Sequence, residues 1–543
     1  MNNRTKRLVL TLIVAVLSIA VLAGCTPAPT ATTAAPTATA APTPDPLATK
    51  ETISIAYWGI DGAFADTVNA PTKAVREAFL AKLNIAIVPV NTTWDDYTSK
   101  IQLWATSGEL PDVFAIDAIG TQMYKDWIDQ GIVKEIPSDL TAYPSLAAIL
   151  GDANYGAYKY PMGAADAKFY NIPRPNYLDA TWWANDYAVV LRKDWMANLG
   201  ASMPTNMAEF TALMVKFATM DPDKNSKNDT IGLSCWNASW LGILMNSFEP
   251  GLTAGKSLWV RDTANAGKWI PSFMTQGAKD GWIAIKALYD AGGLDKDFAT
   301  YTGTEGLDKF INGVSGAYAH GGNLGSTAGI WAPYLKIHPD AKWADTFVIM
   351  PPFKNYKDGN VYYDVEDPAW SESYINATVS DGKMDRILRM FDFFFSTEGY
   401  RLTHFGIEGK DYTVSGDKVT LTPQKDADGV AMPSSFMGSF AQWSGTGAYI
   451  NPSIYQDLAD ASKAALDVWL TTGKAFDSDI RMEKIDYASK AKAVENFKED
   501  TIKLVLSNDF EADYAKLIAD YKASGYDAVI ADANAEAAKL GLK

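Results

Sequence analysis

The oxygen-rich run Asp221-Pro-Asp223-Lys-Asn225-Ser-Lys227-Asn-Asp229 carries the most specific chemical pattern in this chain. Side-chain oxygens recur at its positions 1, 3, 5 and 9, and Lys227 offers a backbone carbonyl at position 7. Ca2+ takes several oxygens at about 2.3–2.6 Å, and an EF-hand-like loop of this spacing wraps them around one point. Two positions depart from that loop: Ser226 stands where the turn glycine belongs, and Gly232 replaces the bidentate Glu. The pattern predicts a structural Ca2+, with a hydrophilic turn between helix and strand as the alternative. Catalytic patterns are weaker. Gly251–Ser257 has three residues between its glycines, too few for a phosphate loop. Gly313-Val-Ser315-Gly-Ala departs from the nucleophile elbow at its last position. His320, His338 and His404 lack metal or triad spacing. Carboxylates that cleave glycosides pair in space rather than in sequence, and 64 Asp and Glu supply many candidates.

The aromatic residues point to binding. The chain holds 17 Trp and 26 Tyr, more than core building alone suggests. Trp58, Trp182, Trp183, Trp236, Trp240, Trp331, Trp370 and Trp443 sit in or beside segments rich in Gly, Asn, Ser or Pro. Flat indole faces suit the C–H faces of sugar rings, while nearby Asp and Asn hydrogen-bond hydroxyls. Packing is the commoner fate of any single Trp. As a set they predict a site for a ligand with apolar faces and polar edges.

The elements that must position them alternate. Ile53–Trp58 is a strand pattern that stops at Gly59, and a helix from about Thr72 places Val75, Phe79 and Leu83 on one face. Ile85–Val90 is the next strand, Asp95–Thr106 the next helix, and Val113–Ile116 a third strand ending at Asp117. This order predicts an α/β fold with a parallel sheet. Ligands of such sheets bind beyond the carboxyl ends of strands, which singles out Trp58, Asp61 and Asp117. A second unit opens near Tyr187–Leu191, Asn206 with Glu209 marks a capped helix, and the chain from about Ser453 onward reads as helical.

Composition narrows the partners. A formal charge of −16 without a basic run excludes nucleic-acid wrapping and opposes spreading on anionic lipid. Two cysteines exclude a disulfide framework, and Cys235 reads as a buried hydrophobe. Arg4, Lys6 and Arg7 precede the apolar run Leu8–Val21, a secretory signal rather than a lasting anchor. Leu22-Ala23-Gly24-Cys25 resembles the bacterial lipobox, in which the cysteine thiol is lipidated and palmitate is carried. Residues 26–50, rich in Pro, Thr and Ala, form an extended tether.

Further segments carry a family likeness: Ser107–Phe114, Leu191–Trp195 with Gly200 and Pro204, Asp221–Leu233, Phe395–Tyr400 and Phe405–Tyr412. In order and spacing they resemble extracellular solute-binding proteins of family 1, the lipoprotein receptors of ABC importers. The likeness is greatest to the long subgroup of oligosaccharide receptors, alginate-binding ones included. It implies a two-lobe periplasmic-binding-protein (type II) fold, with 51–165 and 352–412 in one lobe and 180–350 and 413–543 in the other. It also implies ligand contacts at Trp58, Asp61, Asp117 and Trp443, to which Trp182, Trp183, Trp236, Asn323 and Trp370 are added as candidates. Relatives place an aromatic where this chain reads His320-Gly-Gly-Asn323, so stacking is expected to be absent there. Thr230 stands where their calcium loop has an acidic residue. The expected protein is a monomeric, non-catalytic receptor lipid-anchored on the outer face of the cell membrane, passing an oligosaccharide to a permease. A surface glycosidase or lyase, a peptide receptor and a structural surface protein are the alternatives.

Overall fold

The strand β1 (Glu51–Trp58) buries Ile53 and Ile55, then every residue through Trp58, as a strand covered on both faces must. Helix α1 (Asp61–Phe64) is a short turn, and α2 (Ala70–Leu83) begins at an Asn69 cap whose side chain accepts from the Thr72 N–H at 2.8 Å. It ends at Asn84 with φ 47°, and buries Val75, Phe79 and Leu83 as its spacing predicted. Strand β2 (Ile85–Thr92), helix α3 (Tyr97–Ser107), strand β3 (Val113–Ile116) and helix α4 (Gln122–Asp129) complete the alternation. This computed structural model describes residues 45–542, apart from 178, 253–256, 263–266, 366–367, 435, 443–448 and 450–451. Cys25, most of the tether and Trp443 therefore lie outside the described residues.

Two further strands finish the first sheet: β4 (Ile172–Pro175) and, much later, β9 (Ala369–Ile375). Its order is β2-β1-β3-β9-β4. β1 runs parallel to β2, from Glu51 opposite Ile85 to Trp58 opposite Thr92, and parallel to β3. β9 is antiparallel to both its neighbours, with Glu372 opposite Ile116 and Pro173. Its pairing with β4 is interrupted by a bulge between Ala369 and Glu372.

The second sheet uses β5 (Val189–Arg192), β6 (Ile231–Cys235), β7 (Ser315–Ala319) and β8 (Phe347–Ile349), ordered β8-β5-β7-β6. Helix α5 (Met207–Thr219) precedes β6, and helix α6 (Leu324–Ile337) follows β7. Each sheet has its own core. Ile55, Phe79, Phe114, Tyr374 and Phe391 fill the first, and Leu191, Phe210, Phe217, Leu233 and Trp282 the second. The C-terminal helices join the second core through Phe497, Tyr526 and Ala537. Phe436, Met437 and Phe440 pack in the first core, so the chain stays with that body through residue 441, past the expected boundary at 412. The chain crosses from the first core to the second between β4 and β5, returns between β8 and β9, and crosses again between Ala441 and helix α7 (Gln456–Thr472), whose Leu458 packs beside the second sheet. Among the described residues no helix is long and apolar enough to cross a membrane.

Phe79 joins the helices around the first sheet, with ring centroids 4.9 Å from Phe394 and 5.0 Å from Phe436. Phe79→Ala removes a fully buried ring and is expected to cost about 3–5 kcal/mol, read as a lower urea midpoint by circular dichroism. A midpoint equal to wild type contradicts this packing.

Candidate functional site

At the carboxyl ends of β1 and β2 the chain assembles an aromatic surface. The Trp58 indole lies 4.9 Å from Trp94, 5.0 Å from Tyr97 and 5.4 Å from Trp370. Trp94 and Trp370 are 5.6 Å apart. Trp58 is only 3% exposed and forms the floor, whereas Trp94, at 48%, faces solvent. Beneath lies Arg174 of β4, fully buried, its guanidinium 4.8 Å from the Trp58 ring, 5.4 Å from Tyr57 and 5.8 Å from Trp370. Its Nε donates to the Phe440 carbonyl at 2.8 Å, and its two terminal nitrogens donate to the Ser371 hydroxyl and the Ser439 carbonyl. Burial pulls its pKa down to about 10, so it stays cationic at neutral pH.

Asp61, opening α1, and Asp117, just past β3, are exposed. Behind Asp117 sits Glu372 of β9, fully buried. Its Oε2 accepts from the Ala118 N–H at 3.1 Å and the Tyr374 hydroxyl at 2.8 Å, while Oε1 has no hydrogen-bond partner among the described residues. Burial first, and the charge of Asp117 second, hold this carboxyl well above the ordinary carboxylate range.

The second sheet ends in its own aromatic group. His320, following β7, stacks on Trp240 at 4.5 Å and lies 5.2 Å from Trp236, which follows β6. Trp240 reaches Tyr187 at 5.9 Å. Desolvation lowers the His320 pKa to about 4, so the ring is neutral near pH 7. At the segment where relatives place an aromatic, the His320 imidazole is the ring, and its stacking partner is Trp240. Its glycines are dictated by packing, since a Cβ on Gly322 would lie 2.8 Å from Ile349 and 3.0 Å from the Asn185 carbonyl.

The remaining candidates separate from these groups. Asn323 caps helix α6 by accepting from the Ser326 N–H at 2.8 Å. Trp182 packs on Tyr449 at 5.2 Å and Trp183 on Tyr177 at 5.4 Å, within the first crossing. Trp331 is core, and so is Cys235, whose thiol pKa is pushed up by burial. Sequence reasoning misses Trp94, Tyr97, Arg174 and the histidine partner of Trp240. It also misses a cavity of about 420 Å³ between the bodies, lined by Thr121, Lys125, Tyr160, Lys484, Asp486 and Tyr487. There Lys125 donates to the Tyr160 hydroxyl at 2.9 Å and pairs with Asp486 at 3.4 Å.

The oxygen-rich loop follows α5. Asp221 accepts from the N–H groups of Asn225 at 3.0 Å and Ser226 at 3.1 Å, and the Asn225 amide donates to Asp223 at 2.7 Å and Asp229 at 3.1 Å. Ser226 takes φ 65°, the left-handed turn that the usual glycine provides. Burial and the neighbouring Asp221 and Asp229 raise the pKa of Asp223, a crowding that a dication relieves. A Cβ on Gly232 would lie 2.3 Å from the Gly293 carbonyl, so no side chain fits at the twelfth position. Thr230 is turned inward, donating to the Phe217 carbonyl at 2.7 Å. The donors are hard oxygens that suit Ca2+, yet among the described residues no three Asp, Glu, His or Cys side chains converge as a formed metal centre.

No protein-family profile matches the chain. It is 27% identical over 356 residues to the polygalacturonan/rhamnogalacturonan-binding protein YtcQ of Bacillus subtilis, covering 64% of each chain. The match thus spans a little under two thirds of that relative. Over 154 residues it is 29% identical to the fructooligosaccharide ABC transporter substrate-binding protein FusA of Streptococcus pneumoniae, covering 27% of this chain and 28% of FusA. Among solved structures, FusA in complex with kestose superposes with TM-score 0.66 at 16% identity, covering 90% of this chain and 99% of FusA. Alginate-binding protein AlgQ2 without calcium ion gives 0.65 at 16%, covering 89% and 97%. The fold is that of the two-lobe solute-binding proteins, and the likeness read from the sequence is borne out.

A folded-state pKa raised above the unfolded value makes the Glu372 contribution complete at low pH and lost as pH rises through that raised value. Glu372→Gln stays neutral throughout. Its loss of Tm between about pH 5 and about pH 8 should be smaller than wild type's by roughly 2–4 °C, with Glu495, also held up by burial, keeping part of the slope. An unchanged slope in a melting series contradicts the assignment.

Proposed function

We propose that the chain is the ligand-capturing receptor of an ABC importer, lipid-anchored through Cys25 on the outer face of the cell membrane, and that it binds an oligosaccharide without transforming it. The observation that carries this reading is the aromatic surface of Trp58, Trp94, Tyr97 and Trp370 at the sheet's carboxyl edge. Indole faces there meet sugar C–H faces, while Asp61 and Asp117 accept from hydroxyls. The similarity to YtcQ, a polygalacturonan/rhamnogalacturonan-binding protein, and to FusA, a fructooligosaccharide receptor, supports a glycan in particular.

A cage of aromatic rings also suits a quaternary ammonium ligand. Arg174 argues against that, because the cage already holds a cation 4.8 Å from its central ring. A neutral ligand meets no such repulsion. Neutral His320, with Trp236 and Trp240, serves as the contact on the second body. Ligand touching both bodies favours the closed arrangement by its differential affinity, with the crossings as hinge. The body is a monomer from which the permease receives the sugar. The loop Asp221–Asp229 binds Ca2+ through Asp221, Asp223, Asn225, Asp229 and the Lys227 carbonyl. A FusA EF-hand mutant among the structural neighbours supports this. The ion stiffens the entry to β6 and takes no part in binding sugar.

A thermal-shift panel of oligogalacturonides, fructo-oligosaccharides, xylo-oligosaccharides and peptides tests the function. One glycan class at 100 times its Kd should stabilise the protein by about 2.7 kcal/mol and be recovered uncleaved. Trp94→Ala and Trp370→Ala should each weaken that glycan by about 1–3 kcal/mol, as lost stacking does. A shift with peptides alone, cleaved glycan, or unchanged affinity in both variants overturns the reading. Chelation should lower Tm, with recovery on adding Ca2+ but not Mg2+; indifference to chelator removes the ion.

A further inference from the structure

The bulge in β9 falls inside the aromatic surface. Ser371, 1% exposed, takes φ 60° in the middle of a strand, a conformation that β-strands avoid and L side chains seldom adopt. It lies in the span where the pairing with β4 slips, between Ala369 and Glu372. Bulges re-aim the side chains around them. Here the residue before Ser371 is Trp370, set 5.4 Å from Trp58 and 5.6 Å from Trp94, and the residue after it is Glu372, buried against the N–H groups of Ala118 and Ile119. The hydroxyl of Ser371 accepts from Arg174, which also donates to the Ser439 and Phe440 carbonyls.

We propose that Ser371 and Arg174 are a positioning pair for the binding surface: the left-handed residue turns Trp370 into the indole cluster, and the buried guanidinium pins that turn to the segment 439–440. The ligand contacts then belong to the rings, and the pair acts only through them. A merely structural bulge predicts something different. Glycine at 371 would relieve the backbone and leave the rings where they are.

The sugar-binding role rests on the function proposed above, so the test is made first without ligand. Closely spaced indoles give an exciton couplet in circular dichroism, and the full-length protein supplies the signal. Trp370→Phe should remove a large share of the couplet. Ser371→Gly, which retains the backbone turn, should reduce it clearly while Tm stays within a few degrees of wild type, and Arg174→Lys, which keeps the charge but not the fork, should reduce it at a lower Tm. With a glycan from the panel, Ser371→Gly should weaken binding by about tenfold in the wild-type background and less than about twofold in Trp370→Phe, the non-additivity of residues acting as one. A couplet unaltered by Trp370→Phe, or one that Ser371→Gly leaves at the wild-type value, overturns the proposal. Should Arg174→Lys fail to fold, Ser371→Gly decides alone. A reduced couplet in a protein that binds no glycan upholds the positioning pair and discards the sugar.

Discussion

A guanidinium sealed away from water must be surrounded by acceptors and polarisable faces, or the fold would not tolerate it. Arg174 is such a group, and much of the candidate site is arranged around it. Its donors reach a strand bulge and two carbonyls some 265 residues further along the chain. Its charge lies under Tyr57, Trp58 and Trp370. The same contacts therefore join β4 to β9 and to residues 439–440 beneath the aromatic surface. A single buried cation also biases what the surface accepts, because the face of Trp58 already has a positive charge close behind it.

The second body answers with a different solution. There a neutral imidazole, rather than a cation, completes the ring cluster, and desolvation alone keeps it neutral. Glu372 and His320 are thus opposite cases of one rule: burial pushes each toward its uncharged form, upward for the acid and downward for the base. Apart from both ring groups, Lys125 and Asp486 meet across the cavity between the bodies.

Local periodicity makes the α/β alternation legible, because strand and helix periods need only a few residues to declare themselves. Trp58 and Asp117 follow from the rule about strand ends, and the same rule applied to β2 reaches Trp94 and Tyr97. Arg174 carries no local signal, since its hydrogen-bond partners Ser371, Ser439 and Phe440 are distant in sequence. Trp182 and Trp183 resemble ligand aromatics in their polar neighbours, yet their rings pack on Tyr449 and Tyr177 along a crossing. His320 escapes a search for stacking rings that considers only the larger aromatics. The turn of the oxygen-rich loop is legible in its residue types, and Ser226 takes the left-handed conformation there without glycine.

That a single ligand bridges both bodies is the central claim, and amide hydrogen exchange measures it most directly. With the glycan giving the largest thermal shift present at saturation, protection should rise together in two places: residues 57–61 with 92–98 on the first body, and 236–241 with 318–323 on the second. Protection confined to one body, or none at either, would contradict capture between them.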